Sequence, residues 1–279
     1  MPPKEQKNRG TCIFCGKSNN RLSKEHIWPK WLQNHIPDPG PSRHTVSQGF
    51  IIDGQIVNVM DKGQLYRPGT IISQRLRVVC LPCNNGWMSR LQNQNKPIIE
   101  EFIKGQWPKL DLLRQRDLVR WCLMLATMMD FAHPLTSAIS AEQRLAQSTG
   151  VIPEQTIVWI GKIAGEKWRI GFNHFGFDPH TIAFTAKDAE NVLKNGLYMA
   201  QTTTFVVGSL LAVVYTSTKP RTVAAAHLGN AHSLAIAWPT GTTINEPKRI
   251  HNDESANAAS QILLPPEQRQ IVRPAWVTL

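Results

Sequence analysis

Apolar residues between positions 45 and 77 occur in short runs, which is the pattern of β-strands. We predict several short strands within residues 45–77, among them a hairpin that turns at Asp53-Gly54. A further strand is predicted at residues 71–79. The chain then changes to helical spacing, and we expect a helix to begin at Asn84 or Asn85, because both are good N-cap residues.

Helical periodicity continues after this point and then gives way to strands. Pro97 is predicted to open a second helix. Residues 114–131 are predicted to form a third, which is apolar nearly all round and therefore buried, with Cys122 as a small hydrophobic residue inside it. The remaining predicted elements are strands at residues 156–161, 168–172, 203–215 and 234–238 and a short helix at residues 186–195.

Breaker residues and changes in composition divide the chain into three parts. Residues 1–10 are predicted to be a disordered basic arm and residues 11–96 a domain that carries two cysteine motifs. Residues 97–279 are predicted to be a helical connector plus an α+β domain that recognises a target, a partner or a signal. A loop is expected at residues 36–41, and residues 252–279 are predicted to be a polar docking tail. The expected fold class is therefore α+β.

The net charge of +11 is unevenly distributed along the 279 residues. Residues 1–100 contain 14 Lys and Arg against 6 Asp and Glu, whereas residues 101–279 contain 17 against 14. This basic excess suits a polyanion, and a solvated basic surface is the alternative. No stretch reaches the roughly 18 apolar residues of a membrane span, and the N-terminus lacks the apolar run of a signal peptide, so we expect a cytoplasmic protein.

Four of the five cysteines form two Cys-x-x-Cys pairs, Cys12 with Cys15 and Cys80 with Cys83. In a cytosolic chain this pattern indicates a metal site, since disulfides are rare there. Thiolates at this spacing occupy neighbouring positions of a tetrahedral zinc ion, and two pairs complete its coordination. We therefore predict a structural zinc site that closes a long loop. The alternative is that the pairs are unrelated reduced thiols.

Glu25 and His26 lie between the two cysteine pairs. Neighbouring residues of a strand point to opposite faces, so a twist or a bulge is needed for both side chains to reach one phosphate group. Glu25 would then ligate a divalent cation, and His26 would take a proton from water. The alternative is that His26 is a hydrogen-bonded structural histidine.

The order of the motifs, Cys-x-x-Cys, then Glu-His-Ile-x-Pro, then Cys-x-x-Cys-Asn, resembles the HNH endonuclease family with its ββα-metal fold. The resemblance covers roughly residues 11–95, where two zinc knuckles of the family frame two strands and a helix. It implies that His26 is the general base and that Glu25 and Asn84 are ligands of a catalytic metal ion. The structural zinc would be held by Cys12, Cys15, Cys80 and Cys83.

The chain departs from the family pattern at several positions. The family has an Asn shortly before the second knuckle, which braces the base histidine. No Asn stands there in this chain, so Gln74 or the more distant Asn58 would have to replace it. The Lys that often follows the last knuckle is also missing, and Arg90 is the nearest basic residue. Residues 43–69 are a long insertion.

The resemblance implies metal-dependent hydrolysis of phosphodiester bonds in DNA, with RNA as the other candidate substrate. The catalytic cation would be Mg²⁺ or Mn²⁺. An unperturbed histidine pKa of about 6.5 suits a base at neutral pH. Five basic residues are candidate phosphate contacts: Lys24, Lys30, Arg75, Arg77 and Arg90.

Three functions are compatible with these observations. The first is an HNH endonuclease whose appended domain recognises a target or a partner protein or drives homo-oligomerisation, a build that suits restriction or phage defence. The second is a zinc-stabilised nucleic-acid-binding module whose nuclease site is inactive. The third is a scaffold protein whose function lies in residues 110–279.

Overall fold

The computed structural model defines most of the chain. It describes residues 9–36, 41–52, 55–132, 137–166, 169–177, 200–218 and 233–261, and for most of residues 41–70 the backbone alone. Several predicted features lie outside the described residues. They are residues 1–8 of the basic arm, most of the loop at 36–41, the Asp53-Gly54 turn, Trp168, the helix at 186–195 and residues 262–279 of the tail.

Along the described residues, strands and helices occur in separate runs, so the fold is of the mixed α+β class that the sequence predicts. The strands are β1 (Arg9–Gly10), β2 (Asn20–His26), β3 (Pro41–Ile52), β4 (Gln55–Thr70), β5 (Arg75–Cys80), β6 (Thr156–Ile163), β7 (Ile170–Phe177), β8 (Ala200–Val207), β9 (Leu210–Ser217), β10 (Ala235–Trp238) and β11 (Ile250–His251). The α-helices are α1 (Leu81–Cys83), α2 (Ser89–Ile103), α3 (Leu112–Asp130), α4 (Ala141–Ser148) and α5 (Asp253–Ser260). A π-helical segment, Asn84–Met88, joins α1 to α2, and 3₁₀ turns occupy Lys30–Asn34 and Ile71–Ser73. None of the described helices combines the length and apolarity that crossing a membrane requires.

A small antiparallel sheet carries the sequence motifs. Its strand order is β1-β2-β5, and β5 leads directly into α1. The prediction that the disordered arm extends to residue 10 is wrong. Arg9 and Gly10 pair with Arg21 and Asn20 and so belong to this sheet.

Strands β3 and β4 form an antiparallel hairpin that pairs with no other described strand. The predicted hairpin is confirmed as its tip, where Ile52 pairs with Gln55. The strand predicted at residues 71–79 begins too early. Residues 71–73 form a 3₁₀ turn, in which the Ser73 hydroxyl donates to the carbonyl of Thr70 at 2.8 Å, and the strand starts at Arg75.

The helix at the second cysteine pair begins earlier than either of its two predicted starting residues. Helical backbone begins at Leu81, with Cys80 as the N-cap and Pro82 in the first turn, so neither Asn84 nor Asn85 is the cap. A proline ring fixes the φ angle that the first turn requires, which favours this earlier start. Pro97 opens no helix, because it lies inside α2, whose buried face continues beyond it through residues 98, 99 and 102. The free energy gained by packing that face outweighs the cost of the helix hydrogen bond that proline cannot donate.

The second half of the chain is built around a larger sheet. Its strand order is β10-β6-β9-β8-β7, and β11 pairs with β6. The strands predicted near residues 156–161 and 234–238 are confirmed, and the segment 203–215 forms two strands that turn at Gly208. Helix α3 packs on one face of the sheet and α5 packs on the other.

Two helices of the second half depart from the sequence prediction. The tail predicted at residues 252–279 begins with α5, because Asn252 and Ser255 form a capping box at its start. Helix α4, which the hydrophobic pattern did not reveal, begins with a capping box between Ser140 and Gln143. The buried helix predicted at 114–131 is confirmed as α3, and Cys122 is fully buried inside it.

The two halves share one apolar core. Trp28 of the first half and Trp121 of α3 both meet the ring of Phe205 edge to face, with centroids 5.8 and 6.0 Å apart. The backbone N–H of Ser209 donates to the carbonyl of Phe102 at 2.9 Å, which fixes the end of α2 on the β8–β9 turn. The predicted boundary after residue 96 falls inside α2, and buried residues on both sides of it belong to the same cluster.

We expect Gly208→Ala to destabilise the protein by about 2 kcal/mol or more, because two penalties coincide there. Gly208 has a φ of +57°, and a Cβ atom would lie 2.5 Å from the Cα of Ile103 and 2.6 Å from the carbonyl oxygen of Phe102. The control is Gly241→Ala, where nothing lies within 4 Å of an added Cβ. Urea unfolding measures both. Equal stabilities of the two variants would contradict this account of the contact.

Candidate metal centre and active site

The four paired cysteines converge on one point. The Sγ atoms of Cys12, Cys15, Cys80 and Cys83 all lie within 4.8 Å of one another. Within the described part of the chain, this is the only group of three or more His, Cys, Asp or Glu side chains placed to share a metal ion. Four thiolates about 2.3 Å from a tetrahedral zinc ion are about 3.8 Å apart. The Cys15 and Cys80 sulfur atoms are 3.8 Å apart, so the cluster could hold a metal ion such as zinc.

Backbone hydrogen bonds place the first cysteine pair against the second. The N–H of Gly16 donates to the carbonyl of Cys12 at 3.0 Å, and Gly16 has the positive φ of 65° that this reversal needs. Ile13 then donates its N–H to the carbonyl of Val78 in β5 at 3.0 Å. The N–H of Cys80 points at the sulfur of Cys12, 3.4 Å away. The knuckle is therefore fixed to the strand that carries the second pair.

The electrostatics of the cluster favour a bound cation. Burial raises the pKa of the Cys83 thiol, and the neighbouring Cys12 raises it further. Burial also raises the pKa of Cys80. Four thiolates this close together, three of them buried, would repel one another, and a divalent metal ion removes that penalty by binding them directly. The donor set therefore fits a structural zinc ion.

A second polar cluster lies where β2 meets the helix that follows β5. Glu25 is buried, with 9% of its surface exposed, and the side chains of Asn84 and Gln92 donate hydrogen bonds to its carboxylate. Burial raises the pKa of Glu25, although these two hydrogen bonds oppose the shift. Asn84 Nδ2 also donates to the Ser23 hydroxyl at 3.2 Å. The fold thus brings together Glu25 and Asn84, which the sequence singled out.

Gln92 and Ser23 are members of this cluster that the sequence prediction missed. Gln92 lies about two helical turns after Asn84, so the two side chains share one helix face. Ser23 lies two positions before Glu25 on β2 and therefore on the same face of the strand. These spacings were the available signals, but they become informative only once the strand and the helix are known to face each other.

His26 lies on the other side of β2. It is half-buried, and the Nε atom of Arg75 donates to its Nε2 atom at 3.0 Å. Because a guanidinium group can only donate, Nε2 is the acceptor, and the neutral imidazole carries its proton on Nδ1. Burial lowers the pKa of His26, as do the charges of Arg75 and Lys30. The β2–β5 register shifts between Ser23 and Glu25, but Glu25 and His26 still lie on opposite sides of β2.

The predicted phosphate contacts separate into two groups. Lys24, Lys30 and Arg90 are exposed. Arg75, also exposed, contacts His26, whereas the Nη1 atom of Arg77 donates to the carbonyl of Leu22 at 3.2 Å. The predicted brace for His26 was Gln74 or Asn58. The backbone carbonyl of Gln74 accepts from the N–H of Ile27 at 3.0 Å, and the side chain of Asn58 lies outside the described residues.

No family model, no curated protein and no solved structure matches the chain.

We expect the wild-type protein to bind roughly one zinc ion per chain and Cys80→Ser to lose it, because a hydroxyl group replaces one thiolate of the set. Inductively coupled plasma mass spectrometry of the purified protein measures the metal content. Cys122→Ala is the matched control, since Cys122 is buried in α3 outside the cluster and its loss should leave the zinc in place. A metal-free, folded wild-type protein would contradict the assignment.

We expect Glu25→Gln to become more stable relative to wild type as pH rises. The folded state raises the pKa of Glu25 above its ordinary value of 4.5, so it holds the proton more tightly than the unfolded chain does. Stability of the wild type is therefore lost as pH rises through the window above 4.5, and the neutral amide removes that loss.

Urea unfolding of zinc-loaded protein between pH 4 and 8, without other divalent cations, tests this expectation. Glu154→Gln, which removes an exposed carboxylate, is the control. A constant difference between Glu25→Gln and wild type across the range would show that folding does not shift the pKa of Glu25.

Proposed function

We propose that this chain is a metal-dependent endonuclease of the HNH type, which hydrolyses phosphodiester bonds of DNA. The observation that carries the proposal is the contact between Glu25 and Asn84. A buried carboxylate on a strand and a carboxamide directly after the last cysteine of a metal-binding cluster share one hydrogen-bonded group. A structural zinc site alone requires neither residue.

The arrangement of the elements supports the same proposal. Strands β2 and β5 are antiparallel neighbours, and a helical segment follows β5 without a loop. The cysteine cluster includes residues at the junction of β5 and α1, so it fixes the start of that helical segment beside β2. This order of two strands, a metal cluster and a helix is the one that the resemblance to the HNH family implies.

Glu25 and Asn84 would hold the catalytic cation. Their side chains offer oxygen ligands, which Mg²⁺ and Mn²⁺ prefer, and Mg²⁺ is commonly held by one or two protein carboxylates together with water and substrate phosphate. When bound, such a cation stabilises the negative charge that develops on the phosphate during hydrolysis. Gln92 donates to Glu25, and Ser23 accepts from Asn84. These two contacts keep the ligand side chains in place.

His26 would act as the general base. A lowered pKa keeps the imidazole neutral at pH 7, so it can accept the proton of an attacking water molecule. Exposed Lys24, Lys30 and Arg90 lie near the motif in sequence and would contact backbone phosphates. The basic excess of residues 1–100 supports a polyanionic substrate.

A second candidate function is a zinc-stabilised module that binds nucleic acid without cleaving it. The observation that favours it is the hydrogen bond from Arg75 to His26, because it occupies the nitrogen that a general base would use. Both candidates bind nucleic acid, so a binding assay alone does not separate them. Cleavage and its dependence on His26 do.

We expect wild-type protein to nick supercoiled plasmid at low salt when Mg²⁺ or Mn²⁺ is added to divalent-depleted, zinc-loaded protein. His26→Ala should lower the rate by about 100-fold or more, which is the usual loss when a general base is removed. Glu25→Gln should abolish the cleavage that added cation supports, because it removes the charged ligand of that cation. Agarose gels of a time course, together with thermal melts of each variant, provide the measurement.

The matched control is His35→Ala. His35 lies in the same half of the chain and contacts Glu100 at 3.4 Å, outside the Glu25 cluster, so its loss should leave cleavage unchanged. Plasmid binding without cleavage by folded, zinc-loaded wild type would favour the second candidate. Cleavage that survives in both His26→Ala and Glu25→Gln would show that a contaminant or another site is responsible.

A further inference from the structure

We propose that Arg75 is a positioning residue that covers the base nitrogen of His26 in the free protein and that a phosphate group of the nucleic acid draws it away. This inference rests on the nuclease function proposed above, since it concerns the same histidine.

The geometry of the pair supports a shielded nitrogen. His26 and Arg75 are direct cross-strand partners at the ends of β2 and β5, so the strand register itself holds the side chains side by side. The Nε–H of Arg75 donates to His26 Nε2 at 3.0 Å, a normal length for a nitrogen donor. With Nε2 accepting and Nδ1 protonated, the neutral ring has no free lone pair for a water proton.

Arg75 has two possible hydrogen-bond acceptors, the His26 ring and a phosphate group of the substrate. Their chemistry explains why substrate would draw Arg75 away from His26. A guanidinium group has five N–H donors, and the bond to His26 uses one of them. A phosphate oxygen is charged and can accept two of these donors at once, whereas the imidazole is neutral and accepts one. In the bond to His26 only the donor is charged, whereas a phosphate adds the attraction between opposite charges and a second hydrogen bond, so a phosphate beside Arg75 outcompetes His26.

The position of Arg75 in the fold allows this exchange. Its side chain is exposed, in contrast to Glu25, which is buried on the opposite face of β2. Arg77 lies two positions further along the same strand, is half-buried and donates to the backbone carbonyl of Leu22. Arg77 therefore offers the same charge on the same strand without contact to the histidine, and it serves as the matched control.

Nitrogen-15 NMR of histidine-labelled, zinc-loaded protein without other divalent cations tests the shield directly. The absence of Mg²⁺ and Mn²⁺ prevents hydrolysis, and His26→Gln identifies the resonance. In free wild type the Nε2 resonance should show a hydrogen-bonded acceptor, and in Arg75→Gln it should move to the position of an unbonded one. A short DNA duplex should move the wild-type resonance toward the Arg75→Gln position, and Arg77→Gln should behave as wild type does.

Kinetics of cleavage in Mg²⁺ provide the second readout. Arg75→Gln should lower kcat by about tenfold or more, because the variant loses a charge-assisted contact with the reacting phosphate. Arg77→Gln, whose side chain bonds the Leu22 carbonyl and not His26, should leave kcat close to the wild-type value. Thermal melts establish that each variant is folded.

The outcomes separate the shield from the nuclease function. Coincident Nε2 resonances in free wild type and Arg75→Gln overturn the shield, whether or not the protein cleaves DNA. A wild-type resonance that does not respond to bound DNA also overturns it. The third outcome is a protein that shows the predicted Nε2 shifts but never cleaves DNA. It would support the Arg75–His26 contact as sensitive to phosphate and would refute the nuclease function.

Discussion

The convergence of four cysteine side chains is the constraint on which the rest of the candidate site depends. Cys83 is followed immediately by Asn84, so the contact that fixes the second cysteine pair also fixes the first turns of the helical segment beside β2. Binding of zinc by such a set contributes roughly 10–16 kcal/mol in small zinc domains, which is comparable to the whole stability of an ordinary domain. The hydrogen bonds around Glu25 are individually worth about 1 kcal/mol, so they adjust the position of the side chains within a frame that the cluster holds.

Strand geometry then sorts the polar groups into two environments. Glu25 points toward the helix, where burial raises its pKa and amide donors satisfy its oxygen atoms. His26, the next residue, points the other way and meets the exposed Arg75. A carboxylate held in a fixed, mostly dry position suits a metal ligand, and an imidazole at the protein surface suits a group that must exchange protons with water. The alternation of a single strand therefore places the candidate metal ligand and the candidate base on opposite faces of β2.

Local patterns in the sequence predict the features that depend on neighbouring residues. The cysteine spacing predicted the cluster, and the all-round apolar pattern predicted α3. Features that depend on packing were missed or misplaced. Pro97 was expected to start a helix because proline favours the first turn of one. It lies inside α2 instead, because the buried apolar face of that helix continues on both sides of it. The contacts of Gln92 and Arg75 depend on the register between β2, β5 and the helix, which no local pattern contains.

The second half of the chain also reaches the metal cluster itself. Arg144 of α4 donates its Nε–H to the carbonyl of Ile13, inside the first knuckle, at 2.7 Å, and its guanidinium group lies 4.8 Å from the ring centre of Phe131. Burial lowers the pKa of Arg144, and the charge of Asp130 at the end of α3 offsets part of that effect. Because one half-buried cation connects the knuckle with two helices of the second half, the position of the knuckle depends on both parts of the chain. Residues beyond 96 therefore belong to the framework of the site, in addition to any recognition role of their own.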